Sequence, residues 1–405
     1  MWSVVRSILR TLRVYPLLRW PLSHPLATAF VVALLVRVLV VWRTGPISGG
    51  DSAEYRLAAD LIRSGHFEDG LARPPIYPLF LTMLGGEAAV VLGQAILGAA
   101  VAPLIGSATR RHFGRSAGSV AALLVAFQPS LVSWTNYVLS ETVAVFFFAV
   151  ALERLSRTLA SPSLRSSVLG GLAMGLVLLT RTAFTLPALA LSCAHLLCRR
   201  GRLRMASAFM AGVLLIVVLP SAAYWAVSGH PLTYRTNLWN TLANGTQWNE
   251  VGRGTIGIDI RYPPNLDSLT EEQREEYFRG QFVNFVSTSP LAYAQLSVRK
   301  ALWYWLPAYP EWSSFRKIVL GTYFTALYAL ALLGAANVRP ARFAVVLLVL
   351  IGAFQLTAMV TLVDYDARYR VPAELCLLPL AASGIIFLAS KRVRLASRLR
   401  ATGSL

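Results

Sequence analysis

Apolar runs long enough to cross a membrane constrain this chain more than any other feature. Crossing about 30 Å of hydrocarbon takes roughly 17–25 apolar residues. Runs of that kind lie near 25–43, 88–109, 116–134, 138–153, 206–227, 318–337, 342–362 and 371–390. A further stretch, 167–198, is too long for one crossing. Basic residues flank it, Arg165 before and Arg199, Arg200, Arg202 and Arg204 after, so it reads as two short spans turning near Arg181. The expected fold class is therefore an all-α integral membrane protein of about ten transmembrane helices. With 56% hydrophobic and 14% charged residues, the composition is far from that of a soluble domain.

Charge is lopsided, 38 Lys+Arg against 19 Asp+Glu, and the balance alone could be taken for nucleic-acid binding. Placement decides otherwise. With both termini cytoplasmic, the inside segments hold Arg6, Arg10, Arg13 and Arg19; Arg110, Arg111 and Arg115; Arg154, Arg157 and Arg165; the 199–204 cluster; Arg339 and Arg342; and a basic tail, 391–405, with Lys391, Arg392, Arg394, Arg398 and Arg400. That is the positive-inside bias, so the excess charge reports topology and no nucleic-acid partner is expected. The first 24 residues carry four arginines and two prolines and lack a signal-peptide core, so the first span is expected to be a signal anchor. Arginine outnumbers lysine 35 to 3, as in GC-rich bacterial genes, and the expected location is a bacterial inner membrane. Cys193, Cys198 and Cys376 fall within or at the ends of spans and read as packing residues.

Fixing the topology sorts the acids. The cytoplasmic loops hold almost no acid apart from Glu153, and the outer, periplasmic side holds Asp51, Glu54, Asp60, Glu68 and Asp69 in a first loop over 44–87, Glu141 at the start of the fourth span, a mixed-charge insert over 228–316, and Asp364 and Asp366 before the last span. Both long segments belong to one membrane domain, 1–390. In the first loop, Leu57, Ala58, Leu61 and Ile62 oppose Glu54, Arg56, Asp60 and Arg63, predicting an interfacial helix over 52–64 that ends at Gly65. Pro74-Pro75 opens a second interfacial helix running to Leu84. The insert starts turn-rich and then predicts a helix over 269–286, with Thr270 as its cap.

Each candidate residue has a plainer reading beside the functional one. In "DSAE", Asp51 can cap the helix, with Glu54 reaching back; a cap at a membrane cavity is also a fixed carboxylate suited to act as a general base. Glu141 in "NYVLSETVAVFFF" can serve the helix dipole, yet an ionisable group bordering hydrocarbon is a functional candidate by default. In "VDYDARYRVP", Asp364-Tyr365-Asp366 could hold a divalent ion, and Arg368 and Arg370 present guanidinium forks that match phosphate. Headgroup anchoring explains those arginines equally well. Arg181 in "VLLTRTAF" can snorkel, Arg73 is similarly ambiguous, and Trp303, Tyr304 and Trp305 read as an interfacial aromatic belt. The chain has no P-loop, dinucleotide fingerprint, H-E-x-x-H or Cys/His metal spacing, so no cofactor is expected, and a divalent metal stays open.

An outer-loop aspartate followed in order by "RPPIYPLFL" (73–81), "LGQAILGAA" (92–100), "LSETVAVFFFAVAL" (139–152), "LLTRTAF" (178–184) and "DARYRVP" (366–372) resembles the polytopic C-type (GT-C) glycosyltransferases. The branch concerned includes the lipid A aminoarabinose transferases and protein O-mannosyltransferases. The resemblance implies transfer of a sugar from a polyprenyl-phosphate donor to a lipid, glycan or protein acceptor, with inversion at the anomeric carbon. It implies Asp51 as catalytic base, Glu141 as a second catalytic acid, and Arg73, Arg181, Arg368 and Arg370 as candidates to hold the phosphate. Glu54, Tyr55, Tyr77, Asp366 and Tyr369, in or beside the same motifs, are candidates for substrate contacts. The alternative is a transporter or lipid-linked-sugar flippase, which paired half-chain repeats and mid-span ionisable residues would favour.

Overall fold

The computed structural model describes residues 23–67, 70, 74–198, 200–229, 238–246, 268–308, 312–339, 342–361 and 368–401. Among them the chain is helical with no sheet; Ile47 and Tyr137 form one isolated bridge. Arg73, Asp364 and Asp366 lie outside the described residues, as do Glu68, Asp69, the first 22 residues and most of the turn-rich part of the insert.

The membrane-embedded body is built from α1 (Pro25–Thr44), α4 (Glu87–Phe113), α5 (Arg115–Phe127), α7 (Glu141–Ala160), α8 (Leu164–Leu178), α9 (Thr185–Ala194), α10 (Arg202–Ser228), α14 (Ser314–Asn337), α15 (Arg342–Val360) and α16 (Val371–Ala401). Between α1 and α4 lie the short α2 (Ser52–Arg63) and α3 (Ile76–Leu84); α6 (Pro129–Ser133) follows α5; the insert contributes α11 (Leu238–Asn244), α12 (Glu271–Thr288) and α13 (Pro290–Tyr304). Among the described residues every expected apolar run is largely helical, two of them with breaks. By length and apolarity, however, six helices among the described residues can cross a membrane, or seven if the bent pair formed by 115–127 and 129–136 counts as one span. That count does not confirm the expected ten, because α7 carries Glu141, Glu153, Arg154 and Arg157, and because the 167–198 stretch breaks at Leu179–Arg181 into two short pieces.

Local chemistry places these breaks. Pro129 bars the helical conformation for Gln128, which is extended (ψ 114°), and the chain turns by 49° there. The predicted helix over 52–64 is α2, ended as expected by Gly65 at φ 86°. Thr270 caps α12, and Gln273 reaches back to complete a capping box. Backbones meet most closely where glycine leaves room: a methyl group at Gly334 of α14 would sit 1.8 Å from the Leu380 carbonyl oxygen, and one at Gly384 of α16 2.1 Å from that of Leu330. That approach joins α14 to α16, as Gly171 and Gly212 join α8 to α10.

Candidate functional site

The site forms where four chain breaks meet: the start of α2, the start of α7, the break after α8 and the entrance to α16. The segment before α2 pairs with the segment before α7. Ile47 N–H donates to the Asn136 carbonyl at 2.8 Å, and Val138 N–H donates to the Ile47 carbonyl at 3.0 Å. The Ser52 hydroxyl donates to the Val138 carbonyl at 2.9 Å. Farther along α2, the Tyr55 hydroxyl lies 3.1 Å from Ser140 Oγ, and its ring meets Tyr77 edge-on at 4.9 Å. Tyr77 in turn donates to Gln94 Oε1 at 2.9 Å, while Gln94 Nε2 donates to the carbonyls of Thr135 and Tyr137, each at 2.8 Å. This chain of bonds fixes Asp51 beside Glu141. Burial pushes the Tyr55 phenol above its ordinary pKa against the pull of Arg181, so it remains a protonated partner for Ser140.

Two arginines complete the cluster. Arg181, in the break after α8, donates from Nη1 to Glu141 Oε1 at 2.5 Å and to Ser140 Oγ at 3.2 Å, and its guanidinium lies 5.6 Å from the Tyr369 ring centroid. Arg368, just before α16, donates from Nε to Glu141 Oε1 and from Nη2 to Asp51 Oδ2, the latter at 2.8 Å. Glu141 is 4% exposed and holds both guanidinium groups, whereas the Asp51 side chain is 45% exposed. Two carboxylates and two guanidinium groups make the cluster formally neutral. Each guanidinium has five N–H donors and spends part of them here, leaving donors for a further anion.

A narrow, partly open cleft lies beneath the cluster. Glu141, Arg181, Arg368 and Tyr369 supply its polar end; Val145, Phe184, Phe354, Ala358, Val371 and Pro372 line the rest. Phe148, Phe184 and Phe354 pack against one another with centroids 5.2–5.4 Å apart and stiffen that wall. An apolar slot ending in cations and acids suits an amphiphile with an anionic head. Among the described residues, no group of three or more His, Cys, Asp or Glu side chains is placed to hold a metal ion.

The structure thus brings together Asp51, Glu141, Arg181, Arg368, Tyr369 and Tyr55. Four expectations need correction. Asp51 occupies the N-cap position of α2 but makes no capping hydrogen bond, and its carboxylate faces Arg368 instead. Arg181 does not snorkel; its side chain is 12% exposed and paired with Glu141. Arg370 is not beside the cavity. It is buried, donating to Glu374 Oε1 at 2.6 Å and to the carbonyls of Tyr304 and Leu306, while Glu374 accepts from Gln128 Nε2 at 2.7 Å. A guanidinium committed to three acceptors in the protein interior is a strut, and the adjacent Arg368 takes the facing position because the short 3₁₀ turn Arg368–Arg370 sends the two side chains apart. Tyr304 is likewise buried, donating to the Tyr369 carbonyl at 3.2 Å, and does not join an exposed aromatic belt. Tyr77 is fully buried and supports Tyr55; Glu54 lies on the exposed side of α2. Sequence reasoning passed over Arg37, an arginine in mid-span of α1; an ionisable group within an apolar run was the available signal.

Comparison with known proteins follows the same lines. A family model described as dolichyl-phosphate-mannose-protein mannosyltransferase matches residues 73–225. No curated protein matches the chain. Among solved structures, the archaeal oligosaccharyltransferase AglB from Archaeoglobus fulgidus, in complex with an inhibitory peptide and a dolichol-phosphate, aligns with a TM-score of 0.55 and 17% identity over 95% of this chain and 52% of its own. The apo form of that oligosaccharyltransferase gives a TM-score of 0.56 and 16% identity, over 94% of this chain and 52% of its own. ArnT from Cupriavidus metallidurans, bound to undecaprenyl phosphate, gives a TM-score of 0.52 and 15% identity, over 90% and 59%. The chain spans little more than half the length of these relatives. It is a multi-pass membrane protein that resembles the polytopic GT-C glycosyltransferases, in sequence over residues 73–225 and in fold over nearly all of its own length.

Proposed function

We propose that the protein is a glycosyltransferase that moves a sugar from a polyprenyl-phosphate donor to a lipid, glycan or protein acceptor on the periplasmic face of a bacterial inner membrane, with both chain termini cytoplasmic. One observation carries the reading: two arginines, anchored by the buried Glu141, stand at the polar end of an apolar slot with Asp51 alongside. The solved relatives with dolichol-phosphate and undecaprenyl phosphate support a lipid phosphate as the head group.

In this reading the prenyl chain enters the slot and its phosphate meets Arg181 and Arg368. The acceptor oxygen attacks the anomeric carbon from the side opposite the phosphate, the carbon–oxygen bond to phosphate breaks, and Asp51 takes the acceptor proton. A single displacement of this kind inverts the anomeric centre. Polyprenyl phosphate departs with an added negative charge, which the two guanidinium groups stabilise in a partly desolvated site. The phosphate competes with Asp51 for Arg368, and Asp51 gives way because it is half exposed whereas Glu141 is buried between two arginines. Donor arrival therefore frees the base.

Mass spectrometry of lipid and envelope glycans from cells carrying wild type or Asp51→Asn at equal membrane levels tests the proposal. Loss of one hexose- or pentose-sized increment, with accumulation of the polyprenyl-phosphate sugar, is expected. Unchanged glycans would overturn the assignment.

A further inference from the structure

Arg37 lies in the middle of α1, fully buried, and its terminal nitrogens face the last turn of α5. Nη1 donates to the Ala33 and Ala126 carbonyls at 3.2 and 3.4 Å, and Nη2 to that of Val125 at 3.5 Å. The bend at Gln128 leaves those last α5 carbonyls without helical partners, so a cation there is an ordinary helix stop. That role leaves Nε unexplained. Nε is buried without a hydrogen-bond partner among the described residues, and so is Glu141 Oε2, the oxygen that Arg181 and Arg368 do not reach.

Both atoms belong to residues that line a second, small cavity with room for about one water molecule, bounded also by Gly98, Trp134 and Thr142 and by the apolar Val101, Leu131 and Val145. Gly98 makes the space: a methyl group there would stand 2.8 Å from Arg37 Nε and 3.4 Å from Thr142 Cγ2. A buried donor and a buried acceptor, each lacking a partner among the described residues and each on a residue lining one small, otherwise largely apolar cavity, are both satisfied by a single ordered water. We propose that water in this cavity accepts from Arg37 Nε–H and donates to Glu141 Oε2, making Arg37 a positioning residue for the acid that holds Arg181 and Arg368. The inference rests on the transferase reading for its effect on turnover, and on the cavity alone for the link itself.

A double-mutant cycle over wild type, Arg37→Met, Glu141→Gln and the double variant tests it in the intact, detergent-solubilised protein. Turnover of polyprenyl-phosphate sugar and melting temperature are both measured. Groups sharing one network couple by about 2- to 150-fold. Arg37→Met is expected to lower turnover by a factor in that range when Glu141 is present and to have little further effect once Glu141 is glutamine. Equal losses in both backgrounds would leave Arg37 as a helix stop alone and overturn the inference. Gly98→Ala, whose methyl crowds Nε while leaving the guanidinium charge in place, is expected to give the same dependence on Glu141 and covers the case in which Arg37→Met fails to fold. If wild type transfers no sugar, the proposed function fails. The melting temperatures then decide the link separately: non-additive shifts sustain it, and additive shifts refute it.

Discussion

Arg368→Lys separates a phosphate-holding arginine from a merely structural ion pair. One guanidinium reaches Glu141 through Nε and Asp51 through Nη2 at once, a geometry that a single ammonium group cannot reproduce although it keeps the charge. The Asp51 arm is partly solvent-screened and contributes little to stability, because that carboxylate is 45% exposed. The Glu141 arm and the fork offered to phosphate carry the effect. A hydrogen bond to a charged group in such a setting is worth about 1.5–3 kcal/mol, or roughly 10- to 150-fold in kcat/KM. Initial rates against donor concentration, together with the affinity of the intact protein for undecaprenyl phosphate, are the readouts; the melting temperature is the folding control. Both the rate constant and the affinity are expected to fall while the protein stays folded. A folded Arg368→Lys protein that binds undecaprenyl phosphate and transfers sugar as wild type does would refute the reasoning.

Arg370→Lys should behave in the opposite way. A single ammonium nitrogen keeps the charge but cannot stand where both Nε, on Glu374, and Nη1, on the two carbonyls, now stand, so about 1–3 kcal/mol of stability is at risk, read as a fall in melting temperature with the donor KM of the folded fraction unchanged. Gly334→Ala forces a methyl group onto the Leu380 carbonyl, and overpacking of this kind costs about 1–3 kcal/mol, measurable by denaturant unfolding in detergent. Lys300, buried in α13 and donating to the carbonyls of Gly245 and Thr361, has its pKa lowered by desolvation to about 7. Between that value and the ordinary lysine pKa the unfolded chain binds the extra proton, so the native state gains stability as pH rises through this window. The melting temperature of wild type relative to Lys300→Met should therefore increase from about pH 7 to pH 10, and a flat difference would show that the lysine carries no such penalty.

How far the site could be read from the chain depends on where each partner lies. Apolar runs and the amphipathic pattern of α2 are local signals, and both fold as their periodicity predicts. Span length is a weaker guide: α7 is helical throughout but too charged at both ends to count as apolar, and the pieces on either side of Arg181 are too short. The cluster itself is non-local. Glu141 meets Arg181 across 40 residues and Arg368 across 227, and Arg368 meets Asp51 across 317. Nothing in "DARYRVP" tells Arg368 from Arg370; the 3₁₀ turn separates them, and that turn depends on α16 packing against its neighbours. The capping reading of Asp51 was sound local chemistry that a distant cation overrides, because an exposed cap hydrogen bond and an ion pair with a guanidinium compete for one carboxylate.

That competition has a consequence for affinity whose sign is not the usual one. Removing an acid from a binding site ordinarily disturbs it, yet here the acid and the lipid phosphate seek the same arginine. In Asp51→Asn, Arg368 keeps its bond to Glu141 and loses a charged rival, so undecaprenyl phosphate should bind more tightly than to wild type. The pair being displaced is half exposed and worth at most about 1 kcal/mol, which sets the gain at roughly two- to fivefold. Transfer should be lost in the same protein, because the acceptor proton has no base. Equilibrium binding to the protein in nanodiscs measures the first effect and single-turnover transfer the second. Unchanged or weakened binding would show that Arg368 does not exchange Asp51 for phosphate, and the coupling between donor arrival and release of the base would fall with it.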